Sequence, residues 1–396
     1  MSELLGGSHL MAPDALPDLV ARAAQHLGAR ETYLYLADYE QRMLTPLPVT
    51  AAPVRDPLAV DSSLAGRVFQ RVDAHESEVD PGVRRLWLPM LDGVERLGVL
   101  EAVVASDGPL AEEVRSGLAQ LAHLTAELLL SNSQYTDSYE WARRRQAMTL
   151  PAEMQHRLHP PLTFGTHRVV ISGLLAPAYE VGGDAFDYAL NGNIAHVAVF
   201  DAVGHGLHAA LLAHLAVSCY RNSRRAGLPL VECVTAIDEA LADGFGPERY
   251  VTAIIGQLDV DTGLFRWVNA AHPYPMLLRG GQLVKELTCD PALPLGMGAL
   301  GVAASYEVCE ESLQPGDRLL LVTDGVDEAR TEDGGFFGRD RLAEFAAKEL
   351  ASGLPTPEVM RRLQAAILRF QTGKLQDDAT TVFVEWLTGR SEQLTP

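Results

Sequence analysis

The stretch "VGGDAFDY" (residues 181–188) sets two glycines ahead of an aspartate. It admits two readings with different substrates. In one it is a near-miss of a nucleotide-handling hairpin. In the other, Asp184 is one carboxylate of a metal cluster whose remaining ligands lie far downstream.

Working outward, several apolar runs meet carboxylates. The run 194–200 leads into Asp201 and "AVGHG", the run 319–323 leads into Asp324-Gly325, and "QDDATTVFV" sets Asp377 and Asp378 just ahead of a strand. A carboxylate at a strand end can meet others across a sheet edge, and a neighbouring glycine lets backbone come close. Together with Asp184 these are the raw material of a hard-cation site, since Mg²⁺ and Mn²⁺ prefer oxygen ligands. Taken singly each motif has a plainer reading. Asp-Gly after a strand is ordinarily a turn, Asp-Asp a solvated loop, and "GHG" (204–206) a tight lead-in to a helix. The weight rests on the ordered set.

The 396 residues exceed one ordinary core, and at ~150 residues per domain two or three domains are expected. Hydrophobic residues make up 47% and charged residues 21%, as in globular domains. The formal charge of -20, with "RRR" at 143–145 as the sole basic run, argues against a nucleic-acid partner. The four cysteines, Cys219, Cys233, Cys289 and Cys309, form no CxxC pair, so reduced buried thiols and a cytoplasmic protein are expected. No apolar stretch approaches the ~20 residues of a membrane span. "GGSHLM" (6–11) reads as a tag remnant, which puts the natural start at Met11.

In the first third, Leu16, Leu19, Val20, Ala23 and Leu27 recur at helical spacing. "TYLYLAD" (32–38) alternates, and "RLWLPML" (85–91) and "LGVLEAVVA" (97–105) flank a turn at Asp92-Gly93. This order, with a short helix at "SLAGRVFQR" (63–71), resembles a GAF sensory domain over 12–130, its ligand unknown. Glu112 and Glu113 suit a helix start. Val114, Leu118, Leu121, Thr125 and Leu128 then form a seam, read either as packing within the domain or, with more weight, as a dimerising helix. That helix is expected to continue through "YEWARRRQAM" (139–148) until Pro151 bends or ends it.

Beyond residue 166, β-rich runs alternate with helical stretches at 205–225, 229–244 and 356–371, implying antiparallel sheets covered by helices. "VGGDAFDY", "FDAVGHGLHAALL", "YVTAIIGQLD", "VNAAHPYPMLL", "LPLGMG", "GDRLLLVTDGVDEA", "FGRDRL" and "DDATTVFV" occur in the order found in bacterial PPM-type serine/threonine phosphatases of the sporulation-E and sigma-regulator branch, which 147–387 resembles. The resemblance implies an αββα sandwich. The fold class is therefore α+β: a GAF-like α/β sensor domain (12–130), a helical linker and dimerisation segment (131–165), and an αββα phosphatase domain (166–388), with a tail at 389–396.

The resemblance further implies two Mn²⁺ or Mg²⁺ ions. Asp184 would hold the second metal, Asp201 would bridge both, the carbonyl of Ala202 would face the second, and Asp324 and Asp377 would complete the first. Asp378 aligns with a neighbour that is generally not a ligand, and a swap with Asp377 stays open. His272 resembles a position at the site's edge, or else serves the turn before Pro273. Ala185, the "DAVGHG" sequence and Ala271 depart from the usual pattern without removing a carboxylate. The implied substrate is a phosphorylated anti-anti-sigma (STAS-like) protein, with the chain a homodimer. A non-catalytic scaffold is the alternative. A diguanylate cyclase is remote, because Ala185 stands where its "GGDEF" motif needs an acid.

Overall fold

The computed structural model describes residues 10–50, 52–176, 179–180, 182–246, 248–290, 292–298, 306–327, 338–370 and 378–387. They divide into two compact units between Ala147 and Met148.

The first unit runs α1 (Leu16–His26), β1 (Ala29–Ala37), β2 (Met43–Pro46), β3 (Leu58–Ala59), α2 (Leu64–Arg71), β4 (His75–Asp80), β5 (Val83–Asp92), β6 (Glu95–Ala105), α3 (Glu112–Ser133) and α4 (Ser138–Arg143). Its sheet has the order β3-β2-β1-β6-β5-β4, antiparallel throughout. Successive strand residues point to opposite faces. Leu34 and Leu36 of "TYLYL" therefore join the core under α1 and α3, while Tyr33 and Tyr35 join a second core with α2. Ser63 caps α2 by accepting from Gly66 N at 2.9 Å.

Two expectations are corrected here. Leu118, Leu121 and Thr125 are buried in the unit's own core, with Val114 and Leu128 packed against it, so the seam packs within its own unit, the reading given less weight above. Nor does α3 continue to Pro151. Asn132 Nδ2 and Ser133 Oγ donate to the carbonyls of Leu128 and Leu130, both at 2.7 Å, and the helix ends. Pro151 instead lies in the first turn of a new helix, where its missing N–H is no loss, and Thr149 caps that helix by accepting from Ala152 N. The basic run also has a local role. Arg143 stacks on Tyr39 and donates to the Ala37 carbonyl, and Arg145 faces Asp38 and Glu40.

The second unit runs α5 (Leu150–Leu158), β7 (Thr163–Gly165), β8 (Val169–Ala176), β9 (Asp184–Asn191), β10 (Ile194–Ala202), α6 (Leu207–Arg225), α7 (Leu230–Phe245), β11 (Val251–Asp259), β12 (Leu264–Ala270), β13 (Met276–Arg279), β14 (Gln282–Glu286), β15 (Cys309–Ser312), β16 (Arg318–Val322), α8 (Asp324–Asp327), α9 (Gly338–Ala351), α10 (Thr356–Phe370) and β17 (Ala379–Trp386). Two antiparallel sheets, β15-β12-β11-β10-β9 and β14-β13-β16-β17-β8-β7, enclose a core that includes Phe186, Val197, Val199, Ile254, Leu321 and Val382. Outward-facing Ala198, Phe200 and Ile255 pack with α6 and α7, and Leu174, Leu320 and Phe383 pack with α9 and α10. The layers are helix, sheet, sheet, helix. Gly173 keeps the sheets close, since a Cβ there would sit 2.3 Å from the Phe186 ring.

The cysteine expectation is corrected in part. Cys289, just beyond edge strand β14, and Cys309, on edge strand β15 of the other sheet, form a disulfide with Cα atoms 6.0 Å apart. Cys219 and Cys233 are free thiols, both pushed up by burial. Among the described residues, no helix is long and apolar enough to cross a membrane.

Candidate metal centre

The inner faces of the two sheets change character at one end of the sandwich. The parity that puts Val197 and Val199 between the sheets carries on to Asp201, and that of Phe186 runs back to Asp184. On the facing sheet, Leu319 and Leu321 lead to Thr323, and Val382 leads back to Thr380 and Asp378. The strands that build the core therefore deliver a polar cluster to its rim.

Asp184 and Asp201 stand directly opposite across the β9–β10 pair. Like charges in that relation repel. Asp184 is 2% exposed, and burial, then the Asp201 carboxylate, then Asp378 hold its carboxyl well above the usual range, with the hydroxyls of Thr323 and Thr380 opposing. Thr323 Oγ1 donates to Asp184 Oδ2 at 2.6 Å and accepts from Thr380 N at 2.9 Å, so one hydroxyl ties both sheets together. Asp324 is the next residue, exposed at the start of α8.

Ala202 N donates to the Gly183 carbonyl at 3.2 Å, and a Cβ on Gly183 would lie 2.6 Å from the Ala202 oxygen. Asp378 Oδ2 accepts from Gly182 N at 2.7 Å and Gly183 N at 2.6 Å. Asp377 lies outside the described residues. Among the described residues, no group of three or more His, Cys, Asp or Glu is arranged to hold a metal ion. What they provide is a facing carboxylate pair with hydroxyl oxygens beside it, an oxygen-only set. That chemistry fits a hard divalent cation and no soft one.

The other sequence candidates fall into place around this set. "GHG" is a tight lead-in to α6: Gly204 and Gly206 have φ of 89° and 74°, and Ala210 N donates to the Gly206 carbonyl. His272 is buried in the turn after β12. Asn269 Oδ1 accepts from His272 N at 2.7 Å, and Asn269 Nδ2 donates to the His272 carbonyl at 2.9 Å. The ring Nδ1 meets Thr252 Oγ1 at 2.7 Å, and Thr252 faces Asp201 across β10–β11. Burial lowers the ring pKa to about 3 against the Val322 backbone, with Arg339 adding to the effect. His272 thus serves the turn, and its ring reaches the residue that pairs with Asp201. The cyclase reading needs its glycines in a hairpin, whereas the β9–β10 tip is at Gly192 and "GGD" opens the strand.

Sequence reading missed Thr323, Thr252 and Asp187. Asp187 belongs to the opening stretch, but three residues on from Asp184 it faces the helix side. It is 1% exposed and is held by Arg221 at 2.7 Å and Arg224 at 2.9 Å, while Arg221 also donates to the Leu158 carbonyl. The basic pair on α6 was its one visible signal.

Fold and site together define an αββα sandwich with carboxylates gathered at one rim, and comparison with known proteins finds a similar fold. Residues 191–387, just under half of the chain, match the family of stage II sporulation protein E (SpoIIE). The chain is 22% identical over 214 residues to phosphoserine phosphatase RsbU of Bacillus subtilis, covering 54% of this chain and 62% of RsbU. It is 26% identical over 164 residues to phosphoserine phosphatase RsbP of the same organism, covering 40% of each. It thus spans less than two thirds of either relative. Among solved structures, the SiaA-PP2C domain of Pseudomonas aeruginosa superposes with a TM-score of 0.51 at 24% identity, covering 60% of this chain and 94% of that domain, a likeness of fold.

Proposed function

We propose that the second unit is a metal-dependent phosphatase that removes phosphate from serine or threonine on a protein. The observation that carries this reading is the Asp184–Asp201 pair, directly opposed at the polar rim of the inner face, with Asp184 buried and bonded by Thr323. Asp184, Asp201, the Ala202 carbonyl, Asp324 and Asp377 would hold two Mn²⁺ or Mg²⁺ ions. Bound there, the ions would supply an acidified water near neutral pH and positive charge against the phosphate oxygens. Thr323 fixes the rotamer of Asp184, and the close Gly183–Ala202 contact fixes the backbone next to Asp201.

The substrate we favour is a phosphorylated anti-anti-sigma (STAS-like) protein, supported by the likeness to RsbU and RsbP. The first unit, outside the matched residues, serves in this reading as a GAF-like sensor with a ligand of its own, and the segment 131–165 carries its state to α5 and α6. A homodimer through that segment, where Tyr135 and Trp141 are 77% and 70% exposed, replaces the one through the buried face of α3. The protein acts in the cytoplasm.

Hydrolysis of p-nitrophenyl phosphate by the full chain, with Mn²⁺ and with a chelator, tests the enzyme against the scaffold alternative. Activity that needs Mn²⁺ supports the phosphatase. A folded chain that binds Mn²⁺ but never turns over supports the scaffold.

A further inference from the structure

We propose that Asp378 is a positioning residue that holds the Gly182-Gly183 backbone and, through it, sets Asp184 at the start of β9. The inference rests on the phosphatase reading for what Asp184 does, but not for the tie itself. One carboxylate oxygen, Asp378 Oδ2, receives Gly182 N at 2.7 Å and Gly183 N at 2.6 Å, with Asp184 N further off at 3.4 Å. Successive backbone N–H groups converging on one point form an anion-binding concavity, and bonds to an ionised acceptor are among the stronger hydrogen bonds. Here the anion is supplied by the chain itself, from nearly two hundred residues downstream.

The geometry also accounts for the two glycines. A Cβ on Gly182 would lie 2.8 Å from Gly206 N and 3.4 Å from the Asp378 oxygen, and one on Gly183 would strike the Ala202 carbonyl at 2.6 Å. The loop can lie between Asp378 and the lead-in to α6 only if both positions lack side chains. The same contacts bear on the choice between the adjacent aspartates at one oxygen. An oxygen enclosed by two short N–H bonds faces the positive ends of those dipoles, and a cation placed against them would be repelled. Asp378 Oδ2 is therefore committed to the backbone and is not a metal ligand.

The test uses the full chain and two readouts: Mn²⁺ affinity by calorimetry, and hydrogen–deuterium exchange of the peptide spanning 182–184. Asp378→Ala should speed exchange at 182–183 at least tenfold and weaken Mn²⁺ binding at least tenfold. Asp378→Asn, which keeps an acceptor oxygen, should bring both within about threefold of wild type, as Asn replaces a capping carboxylate at small cost. If Asp378→Ala does not fold, Asp378→Ser takes its place in the comparison. The proposal is overturned if Asp378→Ala leaves exchange at 182–183 unchanged. It is also overturned if Asp378→Asn keeps wild-type exchange yet loses Mn²⁺ as fully as Asp201→Asn, because Asp378 is then a ligand. Should wild type bind no Mn²⁺ and hydrolyse nothing, the phosphatase reading fails, and the exchange readout alone decides the tie.

Discussion

The hydroxyl of Thr323 donates to Oδ2 of Asp184 at 2.6 Å, from the end of a strand in one sheet to the first residue of a strand in the other. Thr323 Oγ1 in turn accepts from Thr380 N. Thr323→Val fills the same volume but leaves a buried N–H and a buried carboxyl oxygen without their partner, a loss of about 1–3 kcal/mol. Urea denaturation should show that loss, and Thr323→Ser should recover most of it. A valine variant as stable as wild type would mean the bond contributes nothing net.

Asp184 and Asp201 repel across their strand pair, so the site should be a local weakness in the absence of cations. Asp184→Asn should raise the melting temperature in chelator while abolishing the rise that Mn²⁺ gives wild type, which follows RT ln(1 + [L]/Kd). A variant that is destabilised in chelator, or that keeps the Mn²⁺-induced rise, contradicts the assignment.

Much of this was legible in the chain. The strand-end positions of Asp201 and Asp324 came from apolar runs stopping at carboxylates, and the sandwich from the alternation of β-rich and helical stretches. What could not be read is what depends on distant partners. Leu118 and Leu121 repeat at spacing that suits either a second chain or the chain's own sheet, and periodicity cannot tell which surface covers them. Cys289 and Cys309 carry no spacing signal because their pairing depends on two edge strands meeting. Pro151 suits either boundary of a helix, and Thr149 is what makes it a start.

Ala271 has φ of 54°, in a turn that Asn269 clamps from both sides. A left-handed alanine costs about 1–2 kcal/mol, partly offset by the greater freedom of glycine in the unfolded chain. Ala271→Gly should therefore stabilise the protein by about 0.5–1 kcal/mol, read from the denaturation midpoint. A lower midpoint would show that the turn is relaxed as it stands.

His159 packs on the Phe186 ring with both ring nitrogens enclosed, and burial, aided by His156, Arg221 and His214, lowers its pKa to about 3. The unfolded chain binds this proton below about 6.5 while the folded one does not, so stability falls as pH drops from there toward 3, by up to about 1.4 kcal/mol per pH unit. His159→Phe should flatten the slope between pH 6 and pH 4 relative to wild type. Identical slopes would place the acid sensitivity elsewhere.

Asp187 holds Arg221 and Arg224 of α6 in a buried cluster that also reaches the end of α5. Removing one partner leaves uncompensated buried charge, so Asp187→Ala should cost about 3–5 kcal/mol, measured by denaturation. A loss under 1 kcal/mol would mean that solvent already screens the cluster.

The most direct test of the central claim is the steady-state rate of phosphate release from a phosphoserine protein substrate by wild type, Asp201→Asn and Asp324→Asn, each with saturating Mn²⁺ and with chelator. Wild type should turn over only with metal, and both variants, folded by circular dichroism, should lose at least about a hundredfold in rate, about 2.7 kcal/mol of barrier. A folded Asp201→Asn protein that keeps near-wild-type turnover, or wild-type turnover that persists in chelator, would contradict the account.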